Sequence, residues 1–145
     1  INNAGYGEYG TIEEAELDAV RRQFETNVFG FSRMIQLVLP GMRAAKAGRI
    51  INIGSMGGRV TFPVGGYYHA TKYAVEAITD ALRFETAPFG IRASLIAPGL
   101  IRTGFGATAA RTLAASGKPA GCRRSQDGCV LNSSVSGRRL MCEIV

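Results

Sequence analysis

Between Ile12 and Ala47 the apolar residues Phe24, Val28, Phe31, Ile35, Val38 and Leu39 recur at the three- and four-residue intervals of a helix face. Ahead of them Thr11-Ile12-Glu13-Glu14 has the form of a capping box, a hydroxyl for the first free N–H groups and a carboxylate reaching back, so a helix is predicted over 13–47. Acidic residues come early in it and Arg43 and Lys46 late, as the helix dipole favours. Pro40 should kink or interrupt this helix and Gly48 should close it. The period then changes: Arg49-Ile50-Ile51-Asn52-Ile53-Gly54 is a short β-branched run beside glycines, predicted as a buried strand. A glycine-rich loop from Ser55 to Gly66 leads into a second helix over 67–88. There Ala70, Ala74, Ala77, Ala81 and Phe84 form a face that allows close packing, and Pro88 and Gly90 mark the stop. Ile91 to Ala97 reads as another strand, ended by Pro98-Gly99, and Ile1 to Gly5 as the end of a strand entering a turn.

Helix, strand, helix, strand with short links predicts an α/β fold, a parallel sheet covered by helices. Ligands of such sheets sit beyond the carboxyl ends of the strands. Asn2 to Gly5, Ser55 and Pro98-Gly99 each follow a predicted strand, so all three should meet at one edge of the sheet.

Composition narrows the functions. With 145 residues, 46% hydrophobic and 19% charged, the chain is globular and is one domain or part of one. No apolar run approaches the roughly 18–20 residues of a membrane span, and no signal precedes the body. The net charge of +6 is split evenly: residues 1–116 carry 12 Lys/Arg against 9 Asp/Glu, and residues 117–145 carry 5 against 2. The body is thus mildly basic, without the interleaved aromatics of a nucleic-acid platform, and neither nucleic acid nor membrane is expected as a partner. Cys122, Cys129 and Cys142 all lie in the tail, at spacings that fit no zinc site, so no metal is expected. A cysteine-free body fits a reducing, cytoplasmic setting.

Chemistry points to Gly66-Tyr67-Tyr68-His69-Ala70-Thr71-Lys72. Four residues turn a helix by about 400°, which puts Tyr68 and Lys72 on one face and turns Tyr67 away. An ammonium beside a phenol favours the phenolate and lowers a pKa of about 10, making Tyr68 a usable acid or base.

Several motifs together resemble the short-chain dehydrogenases/reductases, from Asn2 to about Gly106. Asn2-Asn3-Ala4-Gly5 is similar to that family's turn beside the cofactor, and Asn27 in Asn27-Val28-Phe29-Gly30 to its helix asparagine. Ser55 follows Asn27 by 28 residues and Tyr68 follows Ser55 by 13, as the family pattern asks. Tyr68-His69-Ala70-Thr71-Lys72 resembles the Tyr-Ser-Ala-Thr-Lys form, with His69 replacing the commoner serine and facing elsewhere on the helix. Pro98-Gly99-Leu100-Ile101-Arg102-Thr103 is similar to the segment whose Ile backbone and Thr hydroxyl hold the nicotinamide.

The resemblance implies the C-terminal half of a Rossmann-like, doubly wound parallel sheet. It implies NAD(P)-dependent interconversion of an alcohol with a ketone or aldehyde, with Asn27, Ser55, Tyr68 and Lys72 as the catalytic set. Tyr68 would exchange the proton and Ser55 hold the substrate oxygen. Lys72 would lower the Tyr68 pKa and hold the ribose, and the Asn27 backbone would hold a relay water. The cofactor, NAD or NADP, would lie against Asn2, Ala4, Gly5, Tyr68, Lys72, Pro98, Gly99, Ile101 and Thr103. The parent is expected to be a homodimer or homotetramer joined through its long helices. A non-enzymatic scaffold using the same helices is the alternative.

The sequence also departs from the pattern. No Thr-Gly-x-x-x-Gly-x-Gly turn for the pyrophosphate is present, so 1–116 is expected to be the catalytic portion of an incomplete domain with little activity by itself. From Ser116-Gly117 the helical period stops, and 117–145 reads as an atypical tail, from a shifted frame, foreign or disordered.

Overall fold

Two parallel strands position everything else. In the computed structural model, which describes residues 1–101, 104–105, 122–125 and 128–131, β1 (Gly48–Ile53) pairs with β2 (Ile91–Ile96) along its whole length. Gly48 lies opposite Ile91 and Ile53 opposite Ile96. On the other edge of β1, Asn2 forms a single parallel bridge with Asn52. Its N–H donates to Ile51 O at 2.8 Å and its carbonyl accepts from Ile53 N–H at 3.0 Å. The expected order of strand ends is therefore present. Thr103 and most of the 117–145 tail lie outside the described residues; within the tail, β3 (Cys122–Ser125) and β4 (Gly128–Leu131) pair antiparallel.

The helix predicted over 13–47 is divided. The capping box forms, with Thr11 Oγ1 donating to Glu14 at 2.8 Å and accepting the Glu14 N–H at 3.2 Å. It closes only one turn, because Glu16 is extended (ψ 116°) and α1 (Leu17–Phe24) starts after it. A π-helical turn, Glu25–Gly30, follows, and then α2 (Phe31–Ala45). The wider turn buries the adjacent residues Asn27 and Val28 together, and Gly30 fits where a Cβ would come 3.1 Å from the Glu25 carbonyl. Pro40 does not interrupt α2, whose buried Phe31 and Ile35 anchor it to the core. The stop is Lys46 in the left-handed region (φ 50°), with Ala47 N–H bonded to Met42 O at 3.2 Å. Gly48 is instead the first residue of β1, where a Cβ would lie 2.6 Å from Met42 Sδ.

The second helix, α3 (Gly66–Thr86), passes through a 3-10 turn at Ala87–Phe89 into β2. Its inward face is Tyr68, Thr71, Lys72, Val75, Thr79, Leu82 and Thr86; Ala70, Ala77, Ala81 and Phe84 are exposed, so the small-residue face points outward. Three buried threonines sit on an inward face because each hydroxyl bonds a carbonyl of its own helix: Thr71 that of Tyr68, Thr79 that of Val75 and Thr86 that of Leu82, each at 2.7 Å. Thr79 also receives Asn52 Nδ2 at 3.0 Å, tying helix to strand. Between the layers Phe31, Ile35, Ile50, Val75 and Leu82 form the core.

Emptying that core should be far more damaging than trimming the outer face. Leu82→Ala is expected to destabilise the fold by about 2–5 kcal/mol, while Phe84→Ala stays within about 0.5 kcal/mol, as read from urea midpoints.

Candidate active site

Beyond the carboxyl ends of β1 and β2 three segments close on one another. Gly54 N–H donates to Ile96 O at 2.8 Å and Met56 N–H to Pro98 O at 2.9 Å, so the Ser55 turn is pinned to the end of β2. Ser55 is extended, and its Oγ accepts the Gly57 N–H at 3.0 Å as the cap of a short 3-10 turn, Met56–Gly58. That turn presses on α3, where a Cβ at Gly58 would be 2.8 Å from Lys72 O. Ser55 thereby reaches the first turn of α3 and hydrogen-bonds the Tyr68 hydroxyl.

The third segment is held by Asn27. Its Oδ1 accepts the Tyr6 N–H at 3.1 Å, and its Nδ2 donates to Tyr6 O at 2.8 Å and to Thr71 Oγ1 at 3.1 Å. Gly5 consequently sits so close that a Cβ would be 3.1 Å from Asn27 Oδ1 and 3.8 Å from Lys72 Nζ. Asn27, Ser55, Tyr68, Lys72 and Gly5 are therefore assembled as the spacing predicted. Asn2 is a sheet residue whose Nδ2 donates to Phe31 O at 3.0 Å. Ala4, Gly99 and Ile101 are exposed, and Pro98 is half-buried.

The electrostatics differ from the expectation in one respect. Burial raises the Tyr68 pKa, and the lowering influence is the Ser55 hydrogen bond rather than the lysine. The geometric reason is that Lys72 Nζ donates to Ile53 O at 3.1 Å and stands 5.9 Å from the centroid of the Tyr68 ring. Burial lowers the pKa of Lys72 itself.

Three side chains carry more than their pattern announced. Tyr9 lies against Tyr68, ring centroids 5.5 Å apart, on a loop held by Glu8 N–H to Gln23 Oε1 at 2.7 Å and Gly10 N–H to Val64 O at 2.8 Å. Val64 takes a left-handed conformation (φ 57°), costly for a β-branched residue, and its carbonyl is the one that holds Gly10. His69, expected to face elsewhere, is buried and bonded to the Gly57–Phe62 loop. Tyr9 had a signal in its flanking glycines; the other two had none.

The family model for short chain dehydrogenase matches residues 1–119. The chain belongs to the short-chain dehydrogenase/reductase family. Over 105 residues it is 48% identical to a 3-ketodihydrosphingosine reductase of Bacteroides thetaiotaomicron, covering 72% of this chain and 39% of that protein. Among solved structures it is similar to a gluconate 5-dehydrogenase of Burkholderia cenocepacia in complex with NADP and tartrate, at TM-score 0.70 and 33% identity. That match covers 72% of this chain and 41% of the other. It is likewise similar to an NAD+-bound xylitol dehydrogenase, at TM-score 0.69 and 33% identity, covering 72% and 40%. The chain thus spans about 40% of the length of these relatives.

A nicotinamide cofactor fits the residues of this short-chain dehydrogenase/reductase at one end. Lys72 is buried with a single carbonyl acceptor, leaving two N–H donors for hydroxyl groups, and the glycine at position 5 keeps the adjoining space clear. Among the described residues no three His, Cys, Asp or Glu side chains gather as a metal would require, and no helix is long and apolar enough to cross a membrane.

The phenol pair gives the site a pH signature. Burial, with Tyr68 adding to it, pushes the Tyr9 pKa from 10.0 to about 12. An acid with a raised folded-state pKa stays protonated while the unfolded chain ionises, so its contribution is intact below pH 10 and is lost as pH rises to about 12. Tyr9→Phe should flatten that alkaline fall in stability, measured as the melting temperature against pH.

Proposed function

We propose that the chain is the catalytic portion of an NAD(P)-dependent oxidoreductase interconverting a secondary or primary alcohol with a ketone or aldehyde. The observation that carries this reading is the hydrogen bond between Ser55 and Tyr68 with Lys72 one helical turn behind, a set that packing alone does not require. A nicotinamide, when bound, supplies or accepts the hydride; all other work belongs to the chain.

In reduction the substrate carbonyl oxygen enters between Ser55 and Tyr68. Ser55 Oγ accepts the Gly57 N–H and so keeps its own O–H free to donate to that oxygen, where negative charge grows. Tyr68 delivers its proton as the carbon gains hydride. Burial keeps the phenol protonated, so the acid role needs no prior ionisation. In oxidation the same phenol must first lose its proton, and Lys72 is the cation near enough to favour this. Lys72 donates to ribose hydroxyls with the N–H groups that Ile53 O leaves free. Asn2, Ala4, Gly5, Pro98, Gly99, Ile101 and Thr103 line the nicotinamide side. The Asn27 side chain is fully used on Tyr6 and Thr71, so only its backbone is available to hold a relay water.

The pocket walls are apolar and aromatic: Tyr9 and Phe105 both pack on Tyr68, and Phe62 lies beyond His69. This favours an apolar alcohol or ketone as substrate. The parent protein is read as a cytoplasmic homodimer or homotetramer, a reading supported by Phe29, Leu37 and Phe84, which stand exposed on the outer faces of the helical segments. Without the glycine-rich pyrophosphate turn the 145-residue chain is expected to turn over little or no NAD(P)H.

The test is NAD(P)H oxidation against a panel of ketones, for this chain alone and for the full-length protein. Turnover is expected only in the latter, and Tyr68→Phe should lower kcat by about 10²–10⁴-fold with unchanged circular dichroism. A Tyr68→Phe protein of wild-type kcat would overturn the reading. Rapid turnover by the 145 residues alone would overturn the expected inactivity.

A further inference from the structure

His69 follows Tyr68 directly and is 4% exposed, yet it is bonded at both ring nitrogens to a loop on another element. Phe62 N–H donates to Nε2 at 3.1 Å, which makes Nε2 the acceptor. Nδ1 lies 2.9 Å from Gly57 O, an acceptor that requires a donor. Only the neutral tautomer with its proton on Nδ1 satisfies both partners. The imidazole therefore spans the loop from Gly57 to Phe62 like a strut.

The near end of the strut meets the chemistry. Gly57 accepts from His69 through its carbonyl and donates through its N–H to Ser55 Oγ at 3.0 Å, and Ser55 bonds the Tyr68 hydroxyl. A continuous path thus runs from the Nδ1 proton through the Gly57 backbone to the catalytic hydroxyls. The far end holds Phe62, whose ring lies 5.7 Å from the imidazole centroid. Space for the ring is set aside on both sides. A Cβ at Gly57 would be 2.6 Å from Nδ1, and one at Gly65 would be 2.8 Å from Nε2. Position 57 must therefore stay a glycine for the backbone to come this close.

We propose that His69 is a positioning residue: as the Nδ1–H tautomer it fixes the Gly57 peptide so that Ser55 faces Tyr68, and it holds the Phe62 wall of the substrate pocket in place. It does not touch the reacting atoms. The inference takes the role of Ser55 from the oxidoreductase reading, but the clamp itself is measured without substrate or cofactor.

Nitrogen-15 NMR of the unaltered protein at neutral pH is the first test. Nδ1 should be protonated and Nε2 not, with the Phe62 amide protected from exchange. A proton on Nε2, or averaging of the two tautomers, would overturn the proposal. Two variants then separate the ends of the strut. His69→Asn keeps a donor near the Nδ1 position; the Tyr68 phenol should titrate as in the wild type, while Phe62 amide exchange quickens about tenfold, the loss of one hydrogen bond. His69→Gln keeps an acceptor near Nε2; Phe62 should stay protected while the Tyr68 titration moves upward, because the Ser55 bond that lowers it is loosened. If both variants disturb both readouts alike, His69 is packing only and the assignment is wrong. Should either variant fail to fold, the tautomer of the unaltered protein still decides. Loss of turnover in Tyr68→Phe bears on the oxidoreductase reading alone, so the two can fail separately.

Discussion

The Asn27 carboxamide is the joint on which the site depends. One side chain satisfies both backbone groups of Tyr6 and reaches Thr71, whose hydroxyl in turn holds the Tyr68 carbonyl. Remove it and a loop, a helical turn and α3 lose their common partner, and three polar groups are left unpaired in a buried place. Its position follows from the π-helical turn, which makes room for two consecutive inward residues. The amide is thus paid for locally and used at long range.

Around that joint the sheet supplies alignment and α3 supplies chemistry. Parallel pairing of β1 with β2 fixes where Ser55 and Pro98 emerge, and the Asn2 bridge fixes the third strand end. Lys72 is buried to be within reach of all three, which disfavours its own charge. Tyr68 is likewise kept neutral by burial. Both groups are held away from their comfortable ionisation states, as sites of proton transfer commonly are.

Much of this was legible in the pattern of residues, and the exceptions have physical causes. The strands were readable because β-branched runs between glycines have few other uses, and the convergence of Asn27, Ser55, Tyr68 and Lys72 followed from strand order and helical spacing. The long first helix was misjudged because a capping box is a local event: it formed, and the extended Glu16 ended its influence. Gly48 was misjudged because its lack of a side chain serves the Met42 contact rather than a cap. The outward small-residue face of α3 was hidden by threonines, which read as polar yet satisfy themselves on their own helix. His69 was unreadable, since its partners are backbone groups that no residue type reveals.

The π-helical turn has a consequence for how this stretch tolerates insertion and deletion. A residue removed within Glu25–Gly30 lets the segment relax to an ordinary α-helix and rotates all that follows by about 100° relative to what precedes. Phe31 and Ile35 would leave the sheet while α1 kept its seat, or the reverse. The six residues act as a phase shifter between two helical faces, and their number matters more than most of their identities.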